Sequence, residues 1–451
     1  VSKPKYIFRL IILALFFTIF FGLFDSPQEN IVTAAAPFDA KNPRQFQYVN
    51  TTGHSISGAI LRYYKITGGL ARHGLPLTEI TRYKNQYMQF FERSTIVFRP
   101  EYRDTDAEVE LLPLGKMALE ERNFPPVAVF ESKPEHWYFP ETQQALSGDF
   151  LNFWRNNGAE QTLGLPVSPE FKEITAEGKE LTVQYFEYVR LEYHLNTTNS
   201  IQVGLLGREK AKKELADWQL APVPLNKLLE PLQTRVPSLM FHYVRIVDPK
   251  KDQLGFDLSV TPANFVKFLD WLKQNGYNTV SIAQISDYLK YGIPLPPKAV
   301  NLRFDDGYES MWFVYQEMKK RGMTATFYVI TRRLQLLPEQ WRQIDRDGFE
   351  VAPHTRTHLD LRAAKDLEGE ILGSKIDLEL MLGHPVRTFS YPYGKFTPQV
   401  LKVTQNSNFD LAVSTEYGYT WNLSKMFQQP TLTIRGDDYF DGLVAKVQAG
   451  R

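Results

Sequence analysis

The stretch NLRFDDGYES, Asn301 to Ser310, carries the reading of the whole chain. A short apolar run ends there on two adjacent carboxylates, Asp305 and Asp306, and Gly307 follows at once. Side-by-side acids each raise the cost of ionising the other. A chain that keeps such a pair at the end of an apolar run needs a positive charge nearby to offset the repulsion.

Working outward, Val300–Phe304 is one of a series of short β-branched or apolar runs. The others are Leu239–Tyr243, Thr279–Ile282, Thr326–Ile330, Phe349–Ala352, Thr388–Tyr391, Leu411–Ser414 and Thr431–Ile434. Helical stretches separate most of them. In TPANFVKFLDWLKQNG, Thr261 to Gly276, the residues Phe265, Phe268, Leu269 and Leu272 fall on one face. Strands alternating with helices predict an α/β architecture, and this number of strands predicts a (β/α) barrel, imperfectly closed. An open doubly wound sheet is the alternative, although no Gly-x-Gly-x-x-Gly turn supports a dinucleotide.

In such a barrel the working residues gather at the C-terminal ends of the strands. His242 ends the first run, Asp305 and Asp306 follow the third, His354 and His358 follow the fifth, and SYPYG, Ser390 to Gly394, ends the sixth. HTRTH, His354 to His358, places two imidazoles at i and i+4, which on a helix puts both on one face within reach of one metal. An aspartate on the same rim completes a set of three ligands with positions left for water, the pattern of a catalytic zinc site. One carboxylate then binds the metal, whose charge offsets the repulsion, and the other stays free to take a proton.

RFDDGY (Arg303 to Tyr308), HTRTH and SYPYG occur in this order, with MFHYV before them and MTATFYVI between. Together they resemble the first three motifs of the polysaccharide deacetylases, the NodB-homology domain of carbohydrate esterase family 4. The resemblance covers roughly Val236 to Ala449. It implies a distorted NodB-type barrel and a metal-dependent hydrolase that removes N-acetyl groups from a polysaccharide containing N-acetylhexosamine. It further implies Asp305 as general base, and Asp306, His354 and His358 as ligands of one divalent metal, zinc first, with cobalt or nickel as alternatives. A metal-bound water would be the nucleophile, and the backbone N–H of Tyr393 a donor to the oxyanion. Tyr308, Tyr391, Pro392, Arg435 and Asp437 are the expected substrate contacts; Tyr308, Tyr417 and Trp421 are aromatics near the rim for which stacking on sugar and packing in the core are equal readings.

The chain departs from the commoner pattern in two places. The late Leu-x-x-His that usually supplies the acid is replaced by LTIRGDD, and the arginine usual in the third motif is missing from FSYPYG. These gaps resemble the branch that deacetylates poly-N-acetylglucosamine, in which a first-strand histidine takes the acid's role; by position that is His242. Two other readings stand beside this one: a glycan-binding envelope protein whose barrel is inactive, and an O-acetyl esterase acting on a plant-type polysaccharide.

Before the barrel lies a proline-rich stretch, LAPVPLNKLLEPLQTRVPS, Leu220 to Ser238, which marks a linker over 219–235. Ahead of it, a repeat is visible: GHSISGAILRYYKITGGLARHGLPLTE from Gly53 lies over QQALSGDFLNFWRNNGAEQTLGLPVSP from Gln143. QFFERSTIVF from Gln89 matches QYFEYVRLEY from Gln184, and LPLGKMALEE matches GLLGREKAKK. Each copy reads as helix, Gly-Leu-Pro turn and alternating strands, giving a duplicated α+β module over 42–218 with copies at about 46–125 and 137–218. HGLPLTE and LGLPVSP are similar to LGFP-type repeats of exported envelope proteins, which implies attachment to wall polymer or glycan; a plain spacer is the other reading. His54, His73, His136 and His194 do not recur at equivalent positions, which argues against a duplicated metal site.

The first residues carry Lys3, Lys5 and Arg9 and then an uncharged run, Leu10 to Phe24, with small residues at Thr33–Ala36. This predicts an export signal over 1–36, or an uncleaved membrane anchor, and a cell-envelope or extracellular site of action. Lys and Arg total 52 against 51 Asp and Glu, so the balance gives no reason to expect nucleic acid as a partner. The absence of cysteine excludes disulfides, thiolate zinc sites and cysteine nucleophiles.

Overall fold

Val300, Leu302 and Phe304 alternate with Asn301 and Arg303 along one strand that ends just before Asp305, and this alternation sets the architecture of the C-terminal domain. In the computed structural model, which describes residues 46–450 apart from 85, 120, 121, 123, 177, 196, 198 and 231, the strand is buried on both faces. The basic flank and apolar run near the N-terminus lie outside the described residues.

The barrel strands are β1 (Ser238–Phe241), β2 (Asn278–Thr279), β3 (Ala299–Phe304), β4 (Thr326–Val329), β5 (Glu350–Pro353), β6 (Thr388–Ser390), β7 (Leu411–Tyr417) and β8 (Gln429–Thr433). All pairings are parallel, in the order β5-β4-β3-β1-β8-β7-β6, with the two-residue β2 beside β3. The outward residues of β1, β3 and β4 pack under helices, Leu239, Phe241, Leu302, Phe304 and Phe327 meeting Phe265, Phe268, Leu269, Leu272 and Trp341 in one buried cluster. Helix α1 (Pro262–Gln274) supplies the first four of those helical residues, and Thr261 caps it by accepting from Asn264 N.

The sheet does not close by backbone pairing between β5 and β6, the two ends of the order. Side chains bridge that seam instead. Thr388 Oγ1 donates to Glu350 Oε1 (2.5 Å) at the strand starts, and His354 Nδ1 donates to the Ser390 carbonyl (2.7 Å) at the strand ends. The second bridge is made by a residue of the candidate site.

The run Thr279–Ile282, expected as a strand, turns into helix after Thr279. Ser281 Oγ accepts from Gln284 N and Gln284 Oε1 accepts from Ser281 N, a reciprocal cap that starts α2 (Ile282–Tyr291) and overrides the β-branched run. Ile282, Ile285 and Leu289 then join the inward residues Tyr328, Ala352, Leu411 and Val413. Ile282 N–H donates to Thr326 Oγ1 and Ala283 N–H to Glu350 Oε2, both at strand starts. Helix α2 thus plugs the N-terminal end of the barrel, and the open end is the one carrying the acids.

Ahead of the barrel, the same order of elements occurs twice: a hairpin, two short helices, a four-stranded antiparallel sheet and a helix. Gln89 and Gln184 do the same work in each copy, their Nε2 atoms donating to the carbonyls of Ser55 and Thr78, and of Ala145 and Ser168. The closing helices are exchanged. Gly115, in helix Leu114–Ala118, lies so close to the second copy that a Cβ there would meet the Phe186 carbonyl at 1.9 Å. Gly207, in helix Leu206–Glu214, lies on the first copy, where a Cβ would meet the Phe91 carbonyl at 2.1 Å. Lys116 N–H donates to Glu187 O and Arg208 N–H to Glu92 O, the two halves of a reciprocal contact.

The first copy docks on the plugged end of the barrel. Ile293 packs with Ile56, Tyr64 and Phe98, and Tyr291 stands edge-on to Phe98 at 5.2 Å. Arg103 reaches Asn408 and Asp410, just before β7 starts, and Arg387 pairs with Asp287 and Asp410 behind it. The proline-rich linker is laid down rather than free: Val223 N–H donates to Gly53 O, Tyr48 donates to Val223 O, and Gln233–Arg235 pairs with Thr420–Asn422.

Candidate active site

Asp305 and Asp306 leave β3 in different directions because the backbone changes hand between them. Asp305 continues the inward alternation, while Asp306 and Gly307 have positive φ, 75° and 73°. Only Gly adopts this region freely, so Asp306 is held there at a cost typical of functional sites. Its Oδ1 lies 3.2 Å from His358 Nε2 and 3.5 Å from His354 Nε2, yet has no hydrogen bond although buried. Its Oδ2 accepts from the Tyr308 hydroxyl at 2.7 Å.

HTRTH is not helical. The two imidazoles come together through a loop in which Thr355 and His358 both have φ of 65°, and His358 N–H donates to Thr355 Oγ1. The expected helical face is therefore corrected: a strand end followed by a tight turn, with rings 4.9 Å apart, does the work that one helical turn would do. The loop is tied to the helix Leu367–Leu382, where Glu370 accepts from Thr357 N–H and Oγ1, and Asp377 takes both ends of the Arg356 guanidinium.

Electrostatics favour ligation. Burial lowers the pKa of His354, and the Nδ1 bond to Ser390 O directs Nε2 toward Asp306. Burial pushes the Asp306 carboxyl up, but the contact with His358, the charges of His354 and His242 and the Tyr308 hydroxyl outweigh it and hold the group well below the usual carboxylate range. One donor atom from each of Asp306, His354 and His358 lies within 4.8 Å of the others. Two imidazole nitrogens and an unpartnered carboxylate oxygen are the donor set of a divalent zinc-type cation.

Asp305 is buried beside that triad, its Oδ2 3.9 Å from His354 Nε2. Its Oδ2 accepts from Arg303 Nη2 (2.9 Å) and from Ser390 Oγ (3.1 Å), and its Oδ1 has no partner. His242 follows β1 beside it, where Asp305 N–H donates to Phe241 O; His242 Nδ1 is buried without a partner. Tyr393, exposed and at φ 59°, lays its ring 4.7 Å from that of His358.

The remaining expected contacts divide. Tyr308 is drawn inward to Asp306 and stacks on Tyr243 at 3.6 Å, with the Arg245 guanidinium 3.7 Å beyond, so its hydroxyl is already committed. Tyr391 is not a substrate contact: it is 1% exposed, packed on Phe389 and Phe396, because inward and outward residues alternate and Ser390 takes the inward place. Pro392 is buried as well. Trp421 is fully buried, its Nε1 on the Val236 carbonyl, and belongs to the core. Arg435 and Asp437 are exposed, and Tyr417 is exposed with its ring against Tyr419. The sequence reading missed Arg303, although a cation two residues before an inward acid on a strand must share its face.

Residues 292–412 match the family described as polysaccharide deacetylase. A Bacillus subtilis (strain 168) protein named YxkH and assigned to the polysaccharide deacetylases is 28% identical over 191 residues, 41% of this chain and 66% of that one. A poly-beta-1,6-N-acetyl-D-glucosamine N-deacetylase of Escherichia coli (strain K12) is 60% identical over 42 residues, 9% of this chain and 6% of that one. A peptidoglycan-N-acetylglucosamine deacetylase of Bacillus cereus is 28% identical over 126 residues, 27% of this chain and 59% of that protein. The chain thus spans less than two thirds of the length of each of these relatives.

Proposed function

We propose that this chain, whose C-terminal region is a polysaccharide deacetylase domain, hydrolyses the N-acetyl groups of an extracellular or cell-wall polysaccharide containing N-acetylhexosamine. The observation that carries the reading is the division of labour between two adjacent acids: Asp306 joins the two imidazoles with an unpartnered oxygen, while Asp305, not one of the three clustered ligands, keeps an Oδ1 without a hydrogen-bond partner. Relatives that act on poly-N-acetylglucosamine and on peptidoglycan support the substrate class.

Asp306, His354 and His358 would hold the divalent cation. When bound, such an ion polarises the acetamide carbonyl and eases deprotonation of water. Asp305 takes the proton of the attacking water on Oδ1, while Arg303 and Ser390 occupy Oδ2. The Tyr393 N–H donates to the developing oxyanion, and His242, buried beside Asp305 with an unpartnered Nδ1, protonates the leaving amine. Amide hydrolysis needs that last step, because an amine anion does not leave.

The same reading places the protein at the cell envelope, secreted or held by its N-terminal apolar run, with the repeat module as the attachment to wall polymer or glycan. The module's docking face lies at the plugged end of the barrel, so an attached module leaves the catalytic mouth free for a separate strand of polymer.

Acetate release from N-acetylglucosamine oligomers and from peptidoglycan tests the proposal. Activity should vanish with a chelator and return with zinc. Absence of acetate from every N-acetylated glycan, with one equivalent of metal bound, would leave the glycan-binding reading in its place.

A further inference from the structure

Arg303 is the most deeply buried cation beside the site, with no exposed side-chain surface, and its ion-pair partner is Asp305. Nη2 donates to Asp305 Oδ2 at 2.9 Å, Nη1 donates to the Ser414 carbonyl at 3.3 Å, and the guanidinium lies 5.7 Å over the Tyr328 ring. Arg303 is on β3 and Asp305 directly follows its last residue, two positions on, so the extended backbone puts both on the inward face. Burying a guanidinium is costly, and it is tolerated where a paired carboxylate and further acceptors offset the desolvation. Nη2 also donates to Met240 Sδ, and among the described residues Asp305 is the acid that pairs with Arg303.

Two donors converge on one oxygen of Asp305. Ser390 Oγ arrives from β6 on the far side of the barrel, Arg303 from β3 itself, and both bind Oδ2. The two bonds restrain the carboxylate about its last torsion and leave Oδ1 as its oxygen without a hydrogen-bond partner. We propose that Arg303 is the positioning residue of the base: it holds Asp305 Oδ2, and so selects Oδ1 as the proton-accepting atom, from the strand that carries the base. This rests on the deacetylase reading, since it concerns how that reaction's base is oriented. The bonds of Arg303 go to Asp305, Ser414 and Met240 and not to Asp306, His354 or His358, so it acts through Asp305.

The test is a double-mutant cycle on the full chain loaded with zinc, with acetate release from N-acetylglucosamine oligomers as the rate and zinc stoichiometry as the check on the site. Arg303→Met should lower kcat about 100-fold with KM changed less than about twofold, because it misorients a proton acceptor without removing a substrate contact. On the Asp305→Asn background the same substitution should cost less than about threefold, since its only route to the chemistry has gone. Arg303→Lys, which keeps the charge but loses the planar fork, should fall between; it replaces Arg303→Met in the cycle if the latter does not fold. Additive losses, or a loss confined to KM, would overturn the assignment. A wild-type chain that binds zinc but releases no acetate would instead sink the deacetylase reading itself, a distinct outcome.

Discussion

The Tyr308 hydroxyl donates to Asp306 Oδ2 at 2.7 Å, on the carboxylate oxygen that the two imidazoles leave alone. The bond presents Oδ1 singly to a cation, and the Tyr243 ring, 3.6 Å away, fixes the angle from which the hydroxyl arrives. Partners that orient a ligand in this way are commonly worth about 10- to 100-fold in metal affinity. Tyr308→Phe should therefore weaken zinc binding by about that factor, read by competition with a chromophoric chelator. Unchanged affinity would show that the hydroxyl orients nothing.

His242→Ala should lower turnover by about 100-fold or more while zinc content stays at wild-type level, because protonation of the leaving amine would fall to water. Near-normal turnover at full metal occupancy would remove His242 from the mechanism, and a loss of zinc would move it into the ligand set.

His384 bonds Asp345 through Nε2 at 2.9 Å and ties the turn after the helix Leu367–Leu382 to the helix Pro338–Arg346. The carboxylate raises the imidazole from its ordinary 6.5 to about 9. A group whose pKa rises on folding contributes stability that is full below the unfolded value and is lost as pH climbs through the folded one. The gap in urea midpoint between wild type and His384→Gln should be widest below pH 6.5 and close as pH rises to about 9. A gap independent of pH would mean that the pair contributes packing alone.

Gly207→Ala should unfold the seam between the repeats. The added methyl would meet the Phe91 and Ser94 carbonyls at 2.1 and 2.6 Å, and backbone carbonyls cannot step aside as a flexible side chain can. Overpacking of this kind costs about 1–3 kcal/mol or more. Limited proteolysis should cut the module of the variant while the barrel, from Val236 onward, stays resistant. Because the helices are exchanged, the damage should reach both copies, and cleavage confined to the second would contradict the reciprocal packing.

Much of the site was legible in the sequence because it depends on period and order. Strand ends in a parallel barrel share one rim, so Asp305, Asp306, His242, His354 and Ser390–Gly394 could be gathered before any coordinates. The duplicated module was legible because Ser57-Gly58 and Ser147-Gly148, and the two Gly-Leu-Pro turns, repeat at fixed spacing. HTRTH was misread: spacing of i and i+4 suits a helix, but two left-handed residues and a Thr355 hydroxyl make a turn that does the same. Thr279–Ile282 was misread because a capping box at Ser281 outweighed β-branched residues.

The sequence by itself determined that His242, Asp305, Asp306, His354 and Ser390 lie at strand ends of one parallel barrel, since strand order and a two-residue alternation are local patterns. Only the tertiary structure decided which oxygen of each acid is bonded, that Tyr308 bonds Asp306 while Tyr391 packs into the core, and that the repeats exchange helices and dock on the plugged end. Those facts depend on contacts between residues far apart in the chain, such as Ser390 with Asp305 and Gly207 with Phe91, and a local pattern carries no record of them.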